Sequence, residues 1–246
     1  MPSSRASRIS SFRQGWTGSI IAGLVLLLAV GGFYWLNRQH SAAVPQFRER
    51  QLTTNSSENS VVAGRISPDG RYLAYSDLKG VHLKLIKTGE SQTLGLPESE
   101  KGVPLEWSVS SWFPDSARFL VNASVPGVPA GVWVFSVMGG APRELREHTW
   151  AWSISPDGSS IAYSTGALGY VSADIWVMNA NGEQAHRVSE VGGDSAYGSV
   201  VWSPDGQRLA YVRYHLTPVS VETRDLAGGA PTVLLSFLSD GFSLAT

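Results

Sequence analysis

Four stretches of the chain can be written one above another: RISPDGRYLAYS from Arg65, SWFPDSARFLVN from Ser111, SISPDGSSIAYS from Ser153 and VWSPDGQRLAYV from Val201. Their prolines, Pro68, Pro114, Pro156 and Pro204, lie 46, 42 and 48 residues apart. Two residues before each proline stand Ile66, Trp112, Ile154 and Trp202, and five to seven residues after it come Leu73-Ala74-Tyr75, Phe119-Leu120-Val121, Ile161-Ala162-Tyr163 and Leu209-Ala210-Tyr211. Each copy is two β-rich runs broken by Pro-Asp-Gly. Proline presets φ, aspartate bonds its own nearby backbone and glycine accepts positive φ, so each copy predicts a strand, a tight turn and a second strand. The second copy carries Ser116 where the others have glycine, and its turn is expected to be strained or of another type.

Outward from each hairpin the pattern continues. A third strand is expected in VHLKLI (81–86), VWVFSV (132–137), DIWVM (174–178) and VSVET (219–223). A turn containing Gly89, Gly139-Gly140, Gly182 or Gly228-Gly229 then leads to a fourth, QTL, REL, HRV or TVLL. Four strands in a period of about 40–50 residues make one blade of a β-propeller. An antiparallel sandwich also spaces its turns every 8–12 residues, but has no reason to repeat one tetrapeptide at this period. Gln51-Leu52-Thr53 reads as an outermost strand lent to a blade from the far end of the chain, closing the ring. Gly241 to Thr246 (GFSLAT) reads as the opening strand of a fifth blade, whose Pro-Asp-Gly would fall between 246 and 252. An incomplete propeller with open edges is therefore expected, along with self-association through them.

Composition agrees with an all-β chain: 16% of residues are charged and 43% hydrophobic, with 26 glycines, 13 prolines and nine tryptophans. A net charge of -1 offers no general field for a phosphate backbone, so nucleic acid is not an expected partner. The absence of cysteine removes disulfides, thiolate catalysis and Cys-ligated zinc together.

Before the repeats, Gln14 to Asn37 carries no charge, and Ile20 to Leu36 is almost continuously apolar, close to the length that crosses a bilayer. Trp16 on one side and Phe33, Tyr34 and Trp35 on the other sit where rings favour the headgroup boundary. Arg5, Arg8 and Arg13 precede the segment without an acidic residue among them, placing the N-terminus in the cytoplasm and the repeats outside. The expected organisation is a short basic cytoplasmic tail over 1–18, a transmembrane helix over 19–37, a linker over 38–50 and the repeats over 51–246. A cleavable signal ending near Ser41-Ala42-Ala43 is the rival; its apolar core would be long for that role, and both readings export the repeats.

The repeats resemble those of TolB-like, WD-repeat-like propellers over roughly residues 47–246, and QLTTNSSENSVVAGRISPDGRYLAYSDLKG is similar to the exported propellers behind a membrane helix in large bacterial signalling proteins. In such relatives the cytoplasmic side carries a serine/threonine kinase or winged-helix domain. About 18 residues cannot fold as either, so the resemblance implies fold and topology and neither of those activities.

No catalytic, cofactor or metal site is expected. His40, His82, His148, His186 and His215 show no ligand spacing. Gly193-Asp194-Ser195-Ala196-Tyr197 lacks the last glycine of a nucleophile elbow and has no helix after it. Asp69, Asp115, Asp157 and Asp205 are explained as turn residues, and the repeated Trp and Tyr positions as core. The expected function is a membrane-anchored, exported binding or sensory module for an envelope protein, peptide or glycan. The alternative is a piece of a transmembrane kinase or winged-helix regulator.

Overall fold

The computed structural model describes residues 26–28, 30–32, 49–97, 105–125, 128–165, 174–190, 195–215 and 218–237. The chain divides into two units, Met1–Arg50 and Gln51–Thr246. Within the first, Leu26–Leu28 and Val30–Gly32 are helical, with the leucines and Val30 exposed. Among the described residues no helix is long and apolar enough to cross a membrane. The remainder of the expected span, the Ser41-Ala42-Ala43 pattern and the expected opening strand at 241–246 lie outside the described residues.

The second unit is four antiparallel sheets of four strands, each a simple meander in chain order. Blade one holds β1 (Ala63–Ile66), β2 (Tyr72–Asp77), β3 (Gly80–Leu85) and β4 (Ser91–Thr93). Blade two holds β5 (Glu106–Trp112), β6 (Arg118–Val125), β7 (Val128–Ser136) and β8 (Arg143–Glu147). Blade three holds β9 (Thr149–Ile154), β10 (Ser160–Thr165), β11 (Asp174–Asn179) and β12 (His186–Glu190). Blade four holds β13 (Ala196–Trp202), β14 (Arg208–Tyr214), β15 (Val219–Asp225) and β16 (Thr232–Phe237). Every hairpin, third strand and fourth strand expected from the repeats is present.

Gln51-Leu52-Thr53 is not a strand. This stretch leads instead into a short 3-10 turn, Ser57–Asn59, and the Asn55 and Asn59 amides donate to the Asp77 carboxylate at 2.8 and 2.9 Å. The buried Asp77 needs donors, and these amides supply them where ladder pairing to another blade was expected.

The Pro-Asp-Gly turns build themselves from their own side chains. In blade one, Ser67 Oγ donates to Asp69 Oδ1 at 2.6 Å and accepts from the Tyr72 amide, while Asp69 Oδ1 also accepts from the Arg71 amide at 3.0 Å. Ser155/Asp157 and Ser203/Asp205 repeat the arrangement. Gly70, Gly158 and Gly206 take φ of 71–74°, and Ser116 takes φ 55° at the same place. The second turn is thus of the same kind, with a side chain held in a left-handed conformation that costs about 1–2 kcal/mol for a residue with a Cβ. Ser116 Oγ accepts from the Asp69 amide of the neighbouring turn at 3.1 Å, a contact glycine could not make.

Blade packing follows from the two-residue period of a strand. Where two described blades meet, residues five and seven after the proline of the later blade face the earlier one, and the residue six after the proline of the earlier blade faces the later one. Ala74 and Leu83 of blade one thus meet Trp107, Trp112 and Phe119 of blade two. Leu120 and Val132 of blade two meet Ile154, Ile161 and Tyr163 of blade three. Ala162 and Val177 of blade three meet Tyr197, Leu209 and Tyr211 of blade four. Many of these side chains lose all contact with water, and each such burial is worth about 1.5–3 kcal/mol. In blade four the corresponding outward side, with Val201, Tyr214, Leu235 and Phe237, remains at least 40% exposed.

Candidate functional site

The innermost strands β1, β5, β9 and β13 line a well of about 450 Å³. Its walls carry Arg65, Ser108, Ser110, Trp152, Ser199 and Val201. Three of the four strands are bulged where they face it. In β5, Val109 pairs with Val121 and Ser111 with Leu120, leaving Ser110 as the extra residue. In β9, Ser153 pairs with Ala162 and Ala151 with Tyr163, leaving Trp152. In β13, Gly198 pairs with Val212 and Val201 with Ala210, and Ser199 between them adopts φ 53°. The bulged residue falls four positions before proline in β5 and β9, and next to that position in β13. A bulge turns backbone groups out of the ladder and re-aims side chains, so the repeat carries a distorted rim at the well.

Hydrogen bonds across the blade joints hold that rim. Asn122, 1% exposed on β6, donates from Nδ2 to the Ala151 carbonyl at 3.0 Å and accepts from the Ala151 amide at 2.8 Å. Ser110 Oγ donates to the same carbonyl at 2.9 Å. At the first joint Trp112 Nε1 donates to the Arg65 carbonyl at 2.9 Å, and at the third Trp202 Nε1 donates to the Ser153 carbonyl at 3.3 Å while Ser153 Oγ donates to the Val200 carbonyl at 2.9 Å. The middle joint, where Ile154 replaces tryptophan, is the one served by Asn122. Arg65, exposed, is the one charged side chain among the described residues of the wall. The well therefore offers hydroxyls, rim backbone groups and a guanidinium beside apolar surface: among the described residues, a surface for binding a polar or anionic group.

The residues singled out in the sequence are placed elsewhere. Asp69, Asp115, Asp157 and Asp205 all sit in the turns, accepting from their own turn backbone. The Ser155 hydroxyl, then the Ser159 amide and hydroxyl, hold the Asp157 carboxyl down at about 2, and the Ser67 and Ser203 hydroxyls lower Asp69 and Asp205 in the same way. Partial burial opposes the effect at Asp115, where the Ala117 amide and Arg118 still leave the carboxyl lowered. Among the described residues no cluster of three His, Asp or Glu side chains could hold a metal.

Two histidine pairings escaped the sequence reading. His82 Nε2 lies 2.8 Å from Asp77 Oδ1 and its Nδ1 lies 3.0 Å from Thr93 Oγ1, an acid, imidazole and hydroxyl in line. Both Asp77 and His82 are buried, and neither they nor Thr93 borders the well; the relay links β2, β3 and β4 of blade one, while the other Asp77 oxygen takes the Asn55 and Asn59 amides of the lead-in segment. Burial opposes ionisation of Asp77, yet the bonds from His82, the Lys79 amide and Asn59 leave its carboxyl lowered. Ser195 Oγ lies 3.1 Å from His215 Nδ1, which joins the rejected elbow serine to a histidine 20 residues on. No carboxylate is bonded to the other nitrogen of His215 among the described residues. The β13–β14 ladder, which sets Ala196 opposite Tyr214, was the available signal for this pair.

A separate recess of about 210 Å³ on blade four is bordered by Arg213, His215, Ser220, Glu222, Val233 and Ser236. Glu222 is buried, takes the Ser220 hydroxyl at 2.9 Å and lies 3.7 Å from Arg213 Nη1. Burial, with the nearby Tyr197 and Glu222, pushes the Tyr211 phenol up.

No protein-family profile matches the sequence, and no curated protein sequence matches it. Solved structures do resemble the fold. An oligogalacturonate lyase in complex with manganese aligns over 76% of this chain and 56% of its own, at 18% identity and TM-score 0.57. One of two prolyl endopeptidases studied for inter-domain dynamics aligns over 78% of this chain and 32% of its own, at 17% identity and TM-score 0.55. Hydrazine synthase of Kuenenia stuttgartiensis aligns over 78% of this chain and 53% of its own, at 20% identity and TM-score 0.51. The chain spans less than two thirds of the length of each. A putative TolB from Agrobacterium tumefaciens, at 16% identity and TM-score 0.39, superposes too loosely to carry an argument. At these identities the likeness is one of fold, that of a propeller of four-stranded blades.

Proposed function

We propose that the chain is a membrane-anchored, exported propeller module that binds a peptide, a glycan or a loop of an envelope protein in the well, without chemistry of its own. The observation that carries this reading is the bulged rim: three inner strands give up regular pairing at the well, and the joints are stiffened by side-chain bonds to rim backbone. A rigid cradle with polar groups turned inward costs little reorganisation when a ligand is taken up. The apolar stretch Ile20 to Leu36, between its arginines and aromatic residues, supports the anchor.

Two measurements test this. A library of random peptides displayed on phage would be selected on the wild-type chain and on Ser199→Trp with Ser108→Trp, which fills the well. Binders that recognise the wild type and lose the filled variant support the reading; binders indifferent to the filling refute it. Protease added to spheroplasts should degrade the propeller only if it is exported, and protection until lysis would refute the topology.

A further inference from the structure

We infer that the recess on blade four is a second binding site, separate from the well, which takes one neutral hydroxyl-bearing ring, a sugar unit, between Glu222 and Arg213. The repeat itself marks the place. The residue seven after each proline is paired across its sheet with a third-strand residue: Tyr75 with His82, Val121 with Trp133, Tyr163 with Trp176 and Tyr211 with Glu222. Three blades set a ring there, and blade four sets a carboxylate that is 4% exposed. A buried ion pair contributes little to stability compared with apolar side chains of the same volume, so packing does not account for the exchange.

The exchange leaves bonds unmade. Glu222 Oε1 takes the Ser220 hydroxyl at 2.9 Å and lies 3.7 Å from Arg213 Nη1, while Oε2 has no partner. Five buried side-chain atoms among the described residues lack a hydrogen bond; Tyr211 Oη, Arg213 Nε and Glu222 Oε2 are three of them, on neighbouring positions of one face of β14 and β15. The outer strand shapes a space beside them. Residues three apart in a regular strand lie on opposite faces, but the bulge at Leu234, between the Val221–Leu235 and Glu222–Val233 pairs, puts Val233 and Ser236 on the face of Glu222 and Ser220. These four border the recess together with Arg213 and His215. Its volume of about 210 Å³ is below the roughly 300–1,000 Å³ of a drug-sized pocket and suits a single ring.

The charges select a neutral ligand. An ammonium drawn to Glu222 would sit beside the Arg213 guanidinium, and a carboxylate drawn to Arg213 would sit beside Glu222, so either sign meets its like. A hydroxyl meets neither. It can donate to Glu222 Oε2 and accept from Arg213 Nε, and a neighbouring hydroxyl has Ser236 and His215 on the border. Arg213, with 38% of its side chain exposed, is the wall that turns to admit the ring to those covered atoms.

The test is saturation-transfer NMR on the full chain, held in a detergent without a sugar headgroup. The probes are the methyl glycosides of glucose, galactose, mannose and N-acetylglucosamine, with glycine and ethylammonium as charged comparisons. At least one glycoside should receive saturation, with a dissociation constant in the millimolar range expected of so small a ligand. Glu222→Gln, nearly isosteric, should weaken that binding by at least about tenfold, because the charge-assisted bond is lost. Glu222→Trp, which restores the ring of blades two and three, should abolish it with a melting temperature no lower than that of the wild type; should the larger ring disturb the packing, Glu222→Gln decides. No saturation of any glycoside, saturation of glycine or ethylammonium in their place, or glycoside binding unchanged by Glu222→Gln would overturn the proposal. A signal lost when Ser199→Trp with Ser108→Trp fills the well, but kept in Glu222→Gln, would put the sugar in the well and overturn it as well.

Discussion

Asn122→Ala is the substitution whose cost can be worked most directly from the structure. The side chain supplies both hydrogen bonds of a peptide-like pair to Ala151, and it is buried between blades two and three. Removing it leaves the Ala151 carbonyl with the Ser110 hydroxyl, but leaves the Ala151 amide without a protein acceptor at a residue that is itself 1% exposed. A buried amide without an acceptor costs about 1–3 kcal/mol, and losing the second bond with its packing adds about 1, so about 3 kcal/mol is expected. With a urea slope of about 2 kcal/mol per molar, the midpoint should fall by about 1.5 M. Tryptophan fluorescence suits the assay, because all the tryptophans except Trp16 and Trp35 lie in the propeller unit. Ser110→Ala orphans no group and should cost about a third as much. A drop of less than about 0.5 M for Asn122→Ala, or an equal drop for both variants, would refute the claim that the orphaned amide is what matters.

Further outcomes are expected at the turns and joints. Gly182→Ala forces a Cβ to within 2.7 Å of the Leu145 carbonyl at φ 89°, and should cost about 2–3 kcal/mol, read as a melting temperature lower by about 5–10 °C. Trp112→Phe loses a 2.9 Å bond between blades and should cost about 1 kcal/mol in the same melt; Trp202→Phe, with a 3.3 Å bond, should cost less. The Asp157 carboxyl is lowered to about 2 in the folded chain, so its contribution is full above the unfolded carboxylate range and is lost as pH falls toward 2. Because Asp157 is exposed, that contribution should be at most about 1 kcal/mol. The stability gap between wild type and Asp157→Asn should therefore shrink between pH 5 and pH 2.5, and a gap that widens with acid would contradict the turn's bonding.

The repeat period, the four hairpins, the third and fourth strands and the all-β class were legible in the sequence, because each depends on contacts a few residues apart. Pro-Asp-Gly dictates its turn through its own side chains, and alternation dictates which residues leave water. Ser116 shows the limit of that local reading. Its hydroxyl is held by the Asp69 amide 47 residues away, so the turn keeps the geometry of its glycine-bearing counterparts. The bulges at Ser110, Trp152 and Ser199 and the clamp from Asn122 likewise had no local signal, since each is decided by which blade lies alongside. Gln51-Leu52-Thr53 has strand-forming residues, yet Asp77 draws the neighbouring asparagines into caps and leaves it unpaired. Ser195 and His215, or Asp77, His82 and Thr93, become neighbours only through strand register. The sequence by itself determined what each blade is, because turn chemistry and side-chain period act within one repeat. Only the tertiary structure decided what the blades make together, because the well and its rim arise from groups brought together across joints more than 25 residues apart in the chain.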